Sequence, residues 1–189
     1  MSVEGNAKCL ALKTRKLHAL PFSCNQSLTE SNRYHWALLT GPKGDVPNRP
    51  QDRGVYHVKE RLVIEGDPPV PTPKWQYIQA AEEHGILLVR VLVGKVKNLE
   101  RLLELFRNSP LRPDVTGWNC VYWVKEALET AAKDSNVLAS CVGNWQIVRD
   151  TAMRYVEEKK EAHRFDGQGQ FDASQTATWD LLANKEIVP

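Results

Sequence analysis

No stretch of this chain approaches the roughly 20 consecutive apolar residues that a helix needs to cross a bilayer. No CxxC pair occurs, and Cys9, Cys24, Cys120 and Cys141 are scattered with no His/Cys cluster at zinc-ligand spacing. No metal and no cofactor is therefore expected. An excess of charge of one sign is also missing. Lys and Arg number 25 against 23 Asp and Glu, a net charge of +2, which argues against a dedicated DNA binder while leaving room for a local basic patch. Nothing suggests an oxidising compartment, so the expectation is four reduced thiols. The opening "MSVEGNAKCLALKTRKLHALPF" mixes charges into its apolar positions, unlike a secretory signal. Together these absences point to a cytoplasmic protein with no membrane or DNA partner.

What is present is an ordinary globular composition, 42% hydrophobic and 25% charged over 189 residues. That length suits one domain, 1–189, burying roughly 70% of its unfolded-chain surface. Residues 7–14 alternate well enough for a first strand, and Ser23 to Arg33 reads as a polar loop. "YHWALLT", 34–40, and "GVYHVKERLVI", 54–64, read as strands flanking a Pro/Gly-rich loop over 41–54. "GDPPVPTPK", 66–74, reads as another Pro-rich connection. The aliphatic run "ILLVRVLV", 86–93, has the character of a central strand. Asn98 can cap a helix with Leu99, Leu102, Leu103 and Phe106 on one face. From Asn119 the apolar positions Cys120, Val121, Trp123, Val124, Ala127, Leu128 and Ala131 follow a buried helical stripe. A further helix runs from Trp145 to about Glu161, with Ile147, Val148, Ala152 and Val156 inward, and the tail from Phe165 reads as a wrapping segment. The expected class is α+β, a small antiparallel sheet packed against a cysteine-bearing helix.

The stretch "GWNCVYWVKEAL", 117–128, carries the sharpest chemical signal. Cys120 follows a candidate N-cap, Asn119, so it falls in a first helical turn. There the helix dipole and uncapped N–H groups favour a thiolate and can hold an oxyanion. A cysteine nucleophile also needs a base, normally histidine. The histidines are His18, His35, His57, His84 and His163. His35 and His57 lie in the two strands flanking the Pro/Gly loop, so pairing those strands brings the imidazoles together on one sheet. A helix packed on that sheet can then present Cys120 to them, one ring taking the thiol proton while the other orients it. His84 and His163 lie in charged surroundings and read as surface residues. The bland alternative is that Cys120 is a small core residue and the strand histidines are structural.

"HWALL" at 35–39, "VYHV" at 55–58 and "NCVYWV" at 119–124 resemble, in that order, the motifs of the circularly permuted papain-like fold of the lecithin:retinol acyltransferase and phospholipase/acyltransferase families. That resemblance implies a permuted papain-like architecture with Cys120 as nucleophile, His35 and His57 as its partners, and Asn119 at the oxyanion site. The enlarged hairpin between the histidines is a departure. So is the lack of the C-terminal apolar anchor of the membrane acyltransferases, which makes lipid substrates less expected. The segments "YHWALLTGPK", "YHV", "LLVRVLVGKV", "WNC" and "WVKEAL", with the tail around His163-Arg164-Phe165, Phe171-Asp172 and Asp180-Leu181-Leu182, resemble a group of short fungal proteins of unknown function. These look akin to the fungal arginine-containing cyclodipeptide synthases, which make diketopiperazines from aminoacyl-tRNAs.

The resemblance implies acyl transfer through a thioester on Cys120, with aminoacyl-tRNA as the suspected partner. Lys95, Lys97, Arg101, Arg107 and Arg112 form a basic stretch suited to a phosphate backbone, though Glu100 and Glu104 among them equally make a solvated helix face. Asp114 and Asp172 are candidate carboxylates for an arginyl side chain, and Trp36 is a candidate for the substrate face. A papain-like hydrolase acting on a peptide or small amide is an alternative, and a non-catalytic peptide-binding module is another.

Overall fold

The computed structural model describes residues 15–23, 34–41, 54–81 and 87–189; in 15–23 the only side chain described is that of Ala19. The expected strand over 7–14, most of the two loops beginning at Ser23 and Gly41, and His84 lie outside the described residues. In chain order the elements are β1 Arg15–Ser23, β2 Tyr34–Gly41, β3 Gly54–Glu65, β4 Val70–Ala81, β5 Val89–Val96, α1 Leu99–Asn108, α2 Cys120–Lys133, β6 Leu138–Cys141, α3 Trp145–Glu161, β7 Ala177–Asp180 and β8 Lys185–Val188. Among these residues the strands form one eight-stranded sheet in the order β4-β3-β2-β1-β5-β7-β8, with β6 also paired to β5. Only the β5–β7 ladder is parallel. The fold is α+β, as the sequence pattern predicts.

Each helix begins at an asparagine whose carbonyl oxygen caps a first-turn N–H. Asn98 accepts from Arg101, Asn119 from Val121 and Asn144 from Ile147. The helices pack on one face of the sheet. Trp36 and Leu38 of β2, Tyr56 and Val58 of β3, and Val91 and Val93 of β5 share a core with Leu102 and Phe106 of α1, Trp123 and Leu128 of α2, and Val148 and Ala152 of α3. Aromatic contacts tie the layers, Tyr56 against Phe106, Tyr77 against Trp123 and Trp36 against Trp145.

The structure departs from the sequence reading in several places. Residues 66–69 are a turn, with Gly66 at a φ of 86°, but β4 begins at Val70 inside the expected Pro-rich connection. Proline fits there because β4 is the terminal strand of the sheet and its outward N–H groups need no partner. The central strand runs on to Val96, beyond the expected end. At Gly94 a side chain would meet the Ser140 carbonyl oxygen at 2.9 Å, so glycine is what lets β6 lie close. Ile147 is 49% exposed and not inward; Trp145 and Tyr155 join Val148, Ala152 and Val156 in the buried face. The tail does more than wrap, since it contributes β7 and β8. Among the described residues no helix is long and apolar enough to cross a membrane.

Candidate functional site

The mouth of α2 is built by three consecutive residues. Gly117 has a φ of 80°, a left-handed turn that a side chain would strain. Asn119 then closes the helix start. Its Oδ1 accepts from the Val121 N–H at 2.9 Å, its Nδ2 donates to the Gly117 carbonyl at 3.2 Å, and its own carbonyl accepts from Trp123 at 3.1 Å. Cys120 is the first helical residue, a buried thiol 9% exposed. The N–H of Tyr122 finds no acceptor among the described residues, so one donor of the first turn stays open. The Trp118 ring stacks edge-on against Trp75 of β4 with centroids 5.1 Å apart. Around this mouth the indole N–H groups of Trp118 and Trp123 and the Tyr77 hydroxyl are buried and find no hydrogen-bond partner among the described residues. Burial pushes the Tyr77 phenol up to about 12, with nearby Arg107 opposing the shift.

The second cluster is the histidine pair. His35 Nε2 and His57 Nδ1 lie 2.6 Å apart, ring against ring at 81°. One proton bridges them, donated by whichever nitrogen carries it. Burial lowers both imidazoles to about 4; the neighbouring charges of His57 and Lys59 add to the effect on His35, and those of Lys59 and Arg61 to that on His57. The pair is therefore neutral at physiological pH, as a proton acceptor must be.

Strand parity decides what these clusters can do together. Leu38 stands opposite Tyr56 in the β2–β3 ladder, and both belong to the helix-covered core with Trp36 and Val58. Side chains alternate across a strand, so His35 and His57 point to the other face of the sheet. α2 packs on β2 and β3 through the face that carries Trp36, Leu38, Tyr56 and Val58, whereas strand parity gives His35 and His57 to the other. Trp36 is likewise a core side chain, 1% exposed against Trp145, and not part of an open substrate surface.

The remaining candidates are dispersed. Asp114 is exposed in the turn before α2. Asp172 accepts from Ser174 N–H and Oγ and from Gln175 Nε2; these bonds hold its carboxyl below the usual range and engage both oxygens locally. Arg101 is tied to Asp134 at 2.6 Å and Arg112 to Glu126 at 3.1 Å. Lys95, Lys97 and Arg107 are exposed, and Lys97 borders a shallow pocket with Arg101 and Asn136. Cys141 is held as a thiol, its pKa pushed by burial to about 11. His163 is exposed and bonds Asp166 at 2.7 Å. Among the described residues no group of three or more His, Cys, Asp or Glu side chains is placed to hold a metal ion. Sequence reasoning missed Trp75, Tyr77 and Trp118 around the helix mouth, because Trp75 and Tyr77 belong to a strand masked by prolines.

Fold and site define an α+β protein with a capped, cysteine-bearing helix on one face of a mostly antiparallel sheet and a neutral histidine pair on the other. The chain belongs to the family of unknown function DUF6914, which it matches over residues 13–188. No curated protein and no solved structure matches it.

Proposed function

We propose that this chain is a cysteine-dependent acyltransferase that carries its acyl group as a thioester on Cys120, and more specifically a tRNA-dependent arginine-containing cyclodipeptide synthase of permuted papain-like type. The observation that carries the reading is the position of Cys120 as the first residue of α2, beside a Tyr122 N–H that meets no acceptor among the described residues. The thiolate attacks the ester carbonyl of an aminoacyl-tRNA, the carbonyl oxygen is stabilised by helix-terminal N–H groups, and the tRNA leaves as its free hydroxyl. The amine of a second aminoacyl group then displaces the thiolate, and closure of the dipeptide yields the diketopiperazine. Because the imidazoles occupy the other face of the sheet, the thiolate in this reading is favoured by the helix terminus and not by direct proton transfer to His35 or His57. Exposed Lys95, Lys97 and Arg107 are the basic groups left to meet a phosphate backbone, and charged tRNA as donor sets the reaction in the cytoplasm.

A second reading, a binding module without chemistry, is favoured by that same separation of thiol and imidazole. Incubation with arginyl-tRNA and a second charged tRNA distinguishes the two. The acyltransferase reading expects an aminoacyl adduct on Cys120 by intact-protein mass spectrometry, absent in Cys120→Ala, and a diketopiperazine in solution. No adduct and no product would leave the binding module. Hydrolysis of a peptide or amide substrate by the wild type but not by Cys120→Ala would favour the hydrolase.

A further inference from the structure

The β3–β4 hairpin extends beyond the rest of the sheet. β4 pairs with β3 over the whole of Gly54–Glu65, whereas β2 pairs with β3 only from Gly54 to Tyr56. Residues 59–65 therefore form an arm with two open edges among the described residues. The edges are unequal. Ile64 faces Pro71 and Leu62 faces Pro73. A proline has no N–H to give, so both are non-hydrogen-bonded pairs, and the outer edge of β4 offers no donor at either position. The same parity turns the N–H and C=O groups of Glu60, Leu62 and Ile64 away from β4, toward the edge that β2 leaves uncovered. One edge of the arm is closed to strand addition and the other is open.

The open edge carries exposed apolar side chains, Leu62 at 71% and Ile64 at 65%. They share a face of the arm with Pro71 and Pro73, while Lys59, Arg61 and Glu65 occupy the opposite face, where Glu65 bonds Lys74. The segment is self-complementary when turned antiparallel on itself about Leu62. Lys59 then meets Glu65 of a second copy, Glu60 meets Ile64, and Leu62 meets its own mate.

We propose that residues 59–65 of β3 are a homodimer interface, two copies adding edge to edge in antiparallel register about Leu62 to make a continuous β4-β3-β3-β4 ribbon. The pairs Glu60–Ile64 and Leu62–Leu62 exchange backbone hydrogen bonds, opposite charges close both ends, and the operation is a two-fold axis, so the contact closes on itself and does not propagate.

The test is the mass of the full chain in solution by sedimentation, read across concentration. The wild type is expected to be a dimer that dissociates on dilution. Leu62→Pro closes the open edge as Pro71 and Pro73 close the other, and is expected to be monomeric. Lys59→Glu places like charges at both ends and should raise the Kd about tenfold. Glu65→Lys added to Lys59→Glu reverses both charge pairs between the copies and should restore the dimer. A wild type that is monomeric throughout overturns the proposal, as does a dimer unmoved by Leu62→Pro or a charge reversal that the second reversal does not rescue. Lys59 and Glu65 are exposed, so the charge variants keep the test open should Leu62→Pro fail to fold.

Discussion

His35 Nε2 and His57 Nδ1 share one proton across 2.6 Å, on the face of the sheet that α2 does not touch. The arrangement makes the pair a half-buried neutral unit whose protonation is costly, and strand parity sets the imidazoles on the face away from α2.

The pair should make stability depend on pH in a defined window. Both imidazoles are lowered from 6.5 to about 4 in the folded state. Between those values the unfolded chain binds more protons than the folded one, so stability rises with pH there and is lost as pH falls from about 6.5 toward 4. Urea unfolding at pH 7 and pH 4.5 should differ by an amount on the order of 2 kcal/mol. In His35→Gln the difference should shrink. An equal slope in that variant would move the effect to other groups.

The two described free cysteines should differ in reactivity. Cys141, raised to about 11, is almost wholly thiol near neutrality and should resist iodoacetamide. Cys120 at the helix mouth should label first. His35→Ala should leave that rate unchanged, because the ring and the thiol lie on opposite faces. A severalfold slower reaction in His35→Ala, with the fold intact by circular dichroism, would mean that the imidazole reaches the sulfur and that the parity argument is wrong.

Asn119 should be worth about 1 kcal/mol to the fold as the cap of α2. Denaturant unfolding of Asn119→Ala should show that loss, and Asn119→Ser should recover most of it. A neutral Asn119→Ala would mean that water caps the Val121 N–H equally well.

The C-terminal strand is locked to α3 by a buried cation. Lys159 is 8% exposed; its Nζ reaches Glu186 at 2.5 Å, and Tyr155 donates to the same carboxylate. Removing the acid alone strands the ammonium, so Glu186→Ala should cost about 3 kcal/mol. Lys159→Met with Glu186→Gln should cost clearly less. Equal losses in the single and double variants would show that packing, and not charge, holds the strand.

Much of the helical layer was legible because its signals are local. Asn98 and Asn119 announce their helices, and the apolar stripes from Leu102 and Cys120 match the buried faces. β4 was hidden because Pro71 and Pro73 read as loop residues until the strand is known to lie at a sheet edge. β7 and β8, four residues each, are too short to show a period of two, and they exist because β5 offers an edge far away in the chain. The histidine pair was legible from two strands and the loop between them. The face it occupies was not, since Ala37 and Leu39 on the histidine side of β2 are as buried as Trp36 and Leu38 on the helix side. With both parities apolar, nothing in "HWALL" says which one meets the helix.

β5 accepts β1 along one edge, and β6 and β7 along the other. Val89 stands in register with Ala177, so the last partner of this strand is separated from it by the whole of α1, α2, β6 and α3. Closing so long a loop costs entropy before any contact repays it. A chain in which β7 has not yet docked therefore holds Val89–Leu92 with a bare edge, and β7 acts as the seal that ends this exposure.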